Sequence, residues 1–158
     1  MHSMHYVQHR LLPEIEEGAL LASRRSADVD LIVPVFAVAG DTPEERAPWV
    51  NRTKTQIAFY GTTPNYAFQF EDLGFEGVTT ALRDKMAAGD LQGMADTISD
   101  EMLDHFALVS TWDEMADRLK ERYEGTASRV VMYLTEEQMR KDPESVDKWG
   151  EVAQATRS

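Results

Sequence analysis

Phe106–Leu134, FALVSTWDEMADRLKERYEGTASRVVMYL, is the stretch whose reading decides the fold. Phe106–Val109 is a short apolar run. Thr111 and Glu114, three apart, have the spacing of a capping box at the start of a helix. Met115, Ala116, Leu119 and Tyr123 give that helix one apolar face, and Gly125 supplies a residue suited to its end. A second apolar run, near 129–134, follows directly. Strand, helix and strand with such short joins form a crossover, and a crossover of this kind requires a parallel sheet.

Upstream, Val29–Ala39 is an unbroken apolar run rich in β-branched residues, the pattern of a strand buried on both faces of a parallel sheet. Pro34 lies inside it and cannot donate to a ladder, so an edge, a bulge or a strand end is expected there. Gly40-Asp41-Thr42-Pro43-Glu44-Glu45 then starts a helix, with Thr42 as cap and Glu45 three residues on. The carboxylates of this turn argue against a phosphate site. From about 43 to 104 the pattern is helical and no strand appears. A plain connection between parallel strands needs only ~10 to 15 helical residues, so this block reads as a long helical insertion. Within it Leu91, Met94, Ile98, Met102 and Leu103 form a stripe expected to be mainly core. The fold class expected is α/β, with parallel strands near 29–39, 106–109 and 129–134 in one domain over 1–158.

The charge balance narrows the partners. Twenty-eight Asp and Glu against 16 Lys and Arg give a net charge of -12, which disfavours nucleic acid and anionic membranes. Without cysteine there is neither a disulfide framework nor a thiolate metal site. The longest apolar run, LIVPVFAVAG, is far short of the ~20 residues of a membrane-spanning helix. The first residues show no signal-peptide pattern, so a cytoplasmic protein is expected.

The first 25 residues read as helix, with Val7, Leu11, Ile15 and Ala19 on one face and Pro13 as a kink or second start. His5 and His9 are four apart with His2 one turn earlier, but no third ligand completes a metal set. His105 beside Asp104 has the composition of a general base, yet sequence neighbours do not face each other, and a surface or core histidine is the expectation. Nucleotide-binding glycine motifs, zinc-protease motifs and nucleophile elbows are absent, and no catalytic residue is assigned.

Gln56–Phe75, QIAFYGTTPNYAFQFEDLGF, joins two helices through a turn. Gly61 suits a left-handed helix end, and Thr63-Pro64 suits a cap and first helical residue. Phe59, Tyr60, Tyr66, Phe68, Phe70 and Phe75 crowd this hinge, where burial against a larger body is expected.

IAFYGTTPNY, read with PVFAVAGDTPEER upstream and DEMLDHFALVSTWDEMADRLKERY downstream, resembles the C-terminal part of luciferase-like monooxygenases, and within them the deazaflavin-dependent oxidoreductases. The resemblance runs from about His5 to Leu134. It implies the C-terminal portion of a (β/α)8 barrel, with the first half of the barrel absent. It further implies hydride transfer or monooxygenation of a small organic substrate with coenzyme F420, or FMN as the alternative. The cofactor-binding residues of the family lie on strands outside this sequence, so none is assigned here. Neither cofactor is expected to bind the chain tightly, and the chain is expected to be inactive alone. Tyr60, Thr62, Thr63 and Tyr66 are the substrate-side candidates. A non-catalytic subunit or interaction module is the alternative, and homo-oligomers or association through open sheet edges are expected for three strands out of eight.

Overall fold

The computed structural model describes residues 1–157. In chain order it has α1 Met4–Tyr6, a π-helical turn Val7–Leu11, α2 Leu12–Leu21, β1 Ile32–Ala39 and α3 Pro43–Gly61. There follow α4 Phe68–Glu71, α5 Val78–Ala87, α6 Leu91–Thr97, α7 Asp100–Phe106 and β2 Ala107–Ser110. The chain closes with α8 Trp112–Tyr123, β3 Arg129–Tyr133, α9 Glu136–Lys141 and α10 Glu144–Ala155. Two compact units emerge, one of Met1–Leu31 with Lys54–Phe106 and one of Ile32–Thr53 with the residues from Ala107 onward. The expected insertion is therefore divided, its first turns lying with the sheet and the rest with the N-terminal helices.

The second unit holds a three-stranded parallel sheet of order β2-β1-β3. The parallel strands and their helices agree with the α/β class of part of a (β/α)8 barrel, while the strand order departs from the sequential order of barrel strands. β1 is the longest strand and takes the centre, so the connection through α8 passes over it instead of joining neighbours. β2 pairs with Phe36–Ala39 and β3 with Ile32–Phe36, so the flanking strands hold opposite halves of β1. This arrangement accounts for Pro34. Gly40 N–H donates to Ser110 O, so by alternation the even-numbered residues of β1 direct their backbone groups toward β2. β2 begins opposite Phe36, two residues past Pro34, and the missing donor costs no ladder bond.

The strand ends differ slightly from the sequence expectation, for local reasons. Val29 is not in β1, because its N–H closes a 3-10 turn on Ser26 O. Phe106 belongs to α7, where its ring meets that of Phe70 at 5.2 Å, and β2 runs one residue further, to Ser110. β3 stops at Tyr133, since Leu134 has a left-handed backbone at φ 67°. Val33, Val35 and Ala37 of β1 are buried on one face; on the other, Ile32 and Pro34 are exposed while Phe36 and Val38 are buried.

In the first unit Pro13 acts as a second start, falling in the first turn of α2 directly after the π-helical turn. Arg10 from that turn makes two bonds to the Asp72 carboxylate, at 2.6 and 2.7 Å, and its guanidinium lies 4.9 Å from the Phe68 ring centroid. Of the methionine-containing stripe, Met94, Ile98 and Leu103 are buried and Met102 half-buried, whereas Leu91 points out at 64% exposure. The stripe is core along most of its length.

Candidate functional site

Two places bear on function, and each lies within one unit. The first is the hinge after α3. Gly61 ends this helix without a left-handed backbone, contrary to the expectation from its sequence. Packing explains the glycine instead: a Cβ there would stand 2.5 Å from Leu82 Cδ1 and 3.0 Å from Phe70 Cε2. Thr63 occupies the cap position of the 3-10 turn Pro64–Tyr66 with extended backbone but makes no side-chain cap bond. Thr62 Oγ1 donates to Phe59 O at 2.7 Å, which commits that hydroxyl to the end of α3.

The rings expected to be buried here are mostly not. Phe70 is 1% exposed, but Phe59 is 55% and Tyr66 37% exposed, and Tyr60, Phe68 and Phe75 are half-buried. Phe59, Tyr60 and Tyr66 form a chain of rings with centroids 6.0 and 6.1 Å apart, the second pair edge to face. The structure thus brings Tyr60 and Tyr66 together, whereas Thr62 turns to its own helix and Thr63 to solvent. One polar group of the hinge escaped the sequence reading. Gln69 is 3% exposed and its Oε1, buried, accepts no hydrogen bond. Its only sequence signal was a polar residue between Phe68 and Phe70.

The second place is the C-terminal end of the strands, the side on which barrel enzymes hold their ligands. After β1, Asp41 N–H donates to Glu45 Oε2 and Glu45 N–H to Thr42 Oγ1, so these two donors at the start of α3 are turned inward on the turn itself. Arg46 donates to Gly40 O. The Ala39 carbonyl, beyond the last residue that β3 reaches, accepts from buried Gln138 Nε2 at 2.9 Å. Gln138 Oε1 in turn accepts from Trp149 Nε1, and Trp149 stands edge-on to Trp112, 5.0 Å between centroids. Thr111 precedes α8 in extended conformation but forms no side-chain cap bond, so the capping box expected there with Glu114 is not made.

The electrostatics of these strand ends are acidic. Asp41, Glu44 and Glu45 follow β1, Asp113 and Glu114 follow β2, and Glu136 and Glu137 follow β3. Glu137 pairs with Lys141 at 2.7 Å and with Arg52, and the Lys141 hydrogen bond, with both cations nearby, holds its carboxyl below the usual range. A flavin or deazaflavin carries phosphate. The donors of the turn after β1 are bonded and the surrounding carboxylates repel it, so the end of β1 does not fit such a group, although the N–H groups that open α8 have no side-chain cap. A cavity of 730 Å³ opens at the other end, between α8, α10 and the start of β3.

His5 and His9 stack at 4.3 Å, with His9 Nδ1 2.9 Å from His5 O, and His105 is exposed with its ring against Phe75. Among the described residues no cluster of three metal-ligating side chains occurs, and no helix is long and apolar enough to cross a membrane.

Residues 1–129 match the family model of the luciferase-like monooxygenases. The chain belongs to that family. Similar proteins include uncharacterized proteins Rv1360 and MT1405 of Mycobacterium tuberculosis and Mb1395 of Mycobacterium bovis, each 31% identical over 131 residues. The alignment covers 83% of this chain but 38% of each relative. β3 begins where the family match ends.

Proposed function

We propose that this luciferase-like chain is the C-terminal portion of a deazaflavin- or flavin-dependent oxidoreductase, and that it supplies the substrate side of the barrel while cofactor is held by strands it does not span. One observation carries this reading: a family match over 1–129 in a chain that covers 38% of its relatives' length. The acidic, internally bonded strand ends agree with a cofactor phosphate bound elsewhere. Tyr60 and Tyr66 are the groups this chain offers to a substrate, as half-exposed ring faces with hydroxyls. Coenzyme F420 is the expected cofactor and FMN the alternative.

Fluorescence titration of the purified chain with coenzyme F420 and with FMN tests the reading. No binding at micromolar concentration and no turnover are expected, and micromolar binding would place the cofactor site within these residues. In an assembled barrel, Tyr60→Phe or Tyr66→Phe should lower kcat/KM about tenfold, equal to ~1.4 kcal/mol of transition-state binding, with Tm nearly unchanged. If both variants turn over normally, the hinge is scaffold. The sealed end of β1 under Gln138 and Trp149 favours a second reading, a non-catalytic luciferase-like module. An assembled barrel that binds neither cofactor would establish it.

A further inference from the structure

We propose that Gln138 is a positioning residue, whose buried side-chain amide couples the turn after β1 to the loop that opens α8 and so holds two strand-end loops in place. This role deepens the reading of the chain as the substrate side of a luciferase-like oxidoreductase, and it rests on that reading.

The need for such a residue starts in the register. β3 reaches only Phe36 of β1, while β2 pairs with Phe36–Ala39. Odd-numbered residues of β1 direct their backbone groups away from β2, so the Ala39 carbonyl points to the side on which β3 has already ended. Ala39 is buried, and a buried carbonyl without a donor is costly. Gln138, 6% exposed, supplies the donor from α9, with its Nε2 2.9 Å from Ala39 O. Its Oε1 accepts from Trp149 Nε1 at 3.2 Å, and the Trp149 ring packs against that of Trp112, the first residue of α8.

The two bonds together demand an amide. A carbonyl only accepts and an indole N–H only donates, so the group between them must donate from one end and accept at the other. Glutamine does this in a single orientation; a carboxylate lacks the donor, and an apolar side chain lacks both. The remaining ties to these loops are of another kind. Lys148 stands 3.8 Å from Asp41 and 5.4 Å from the Trp112 ring centroid, and Arg52 pairs with Glu136 and Glu137. These lie at partly exposed positions, where ion pairs are screened and contribute little. Gln138 is the buried link.

Barrel proteins build their sites from the loops at the carboxyl ends of the strands. The turn after β1 and the loop after β2 are such loops, and Gly40 N–H joins them directly through Ser110 O at 3.3 Å. Gln138 lies beyond the residues that match the family model, and both ends of its amide are engaged, so it acts on a ligand only through the loops it holds.

Gln138→Met keeps length and bulk while removing both bonds. In the 158-residue chain it should speed hydrogen exchange at the Gly40 and Asp41 amides tenfold or more and flatten the near-ultraviolet circular dichroism of the Trp112–Trp149 pair. Amides in the middle of the sheet, Val35 and Leu108, should exchange as before. Lys148→Gln cuts a surface tie to the same turn and should leave exchange at Gly40 unchanged. Trp149→Phe keeps the bond to Ala39 but removes the one that orients the amide, so exchange at Gly40 should rise by less than in Gln138→Met. In an assembled barrel Gln138→Met should raise KM tenfold or more with kcat nearly unchanged, a split that general loss of stability does not produce. Equal acceleration at Val35 and Leu108, no acceleration at Gly40, or an unaltered KM would overturn the role. An assembled barrel without turnover ends the oxidoreductase reading instead, and the exchange results alone then decide whether Gln138 couples the two loops.

Discussion

The junction around Gly61 and the strand Arg129–Tyr133 are both rich in apolar side chains, yet one is closed and the other open. At the junction Phe70, Ile57, Ala58 and Leu82 are all at most 1% exposed, and there is no room for a Cβ on Gly61. Along β3 exposed and half-buried residues alternate and none is fully buried. Apolar composition alone therefore does not mark the core. What separates the two places is whether a partner element exists within the same unit: α3, α4 and α5 close on one another, while β3 has β1 on one side only.

Truncations break this comparison most strongly. Phe70→Ala should cost about 3–5 kcal/mol, the range for deleting a fully enclosed ring. Val131→Thr should stay within ~0.5 kcal/mol, as for surface changes. Chemical denaturation of the two variants measures both. Comparable losses would mean that β3 is as tightly packed in solution as the junction.

Acid sharpens the same contrast through charge. In the first unit Asp72 is held below the usual carboxylate range by its hydrogen bonds to Arg10, and Asp100 by Lys54 at 2.6 Å. In the second unit Glu137 is lowered by Lys141 and Arg52. A carboxylate whose folded pKa is depressed adds stability that is present above its unfolded value, near 4, and is lost as pH falls through the folded value. Tm should therefore drop below about pH 4. All three pairs are largely solvated, so each effect is small. Asp72→Asn should flatten the drop in a melt series from pH 5 to pH 2, and an unchanged slope would remove Asp72 from the account.

Much of the fold was legible because local chemistry and tertiary demand agreed. The apolar run at β1, the cap and proline before α3, and the face of α8 each specify one structure. The strand order was not legible, since β2 and β3 flank β1 through pairing that no local signal encodes. The hinge misled in a different way. Gly61 looked like a helix terminator, but its identity is set by Phe70 and Leu82, distant in sequence and invisible to turn chemistry. Thr62 and Thr63 looked alike as hydroxyls, and only the fold shows that one is committed to Phe59 O. Gln69 carried no pattern at all, and its unmet acceptor appears only once the surrounding helices have enclosed it.

Leu134 gives the finest comparison, at the point where the open strand ends. Its φ of 67° is left-handed, a conformation that costs a non-glycine residue ~1–2 kcal/mol. The residue is only half-buried, so less than the full ~1.5–3 kcal/mol of leucine burial is at stake. Leu134→Gly relieves the backbone and gives up that packing, and the two contributions nearly cancel. A change within ~1 kcal/mol is expected, against the ~2–5 kcal/mol usual for truncating a leucine in a core. A loss of ~2 kcal/mol or more by denaturant titration would mean that Leu134 anchors the turn into α9 through packing that outweighs its backbone strain, and that the end of β3 is a closed region like the Gly61 junction.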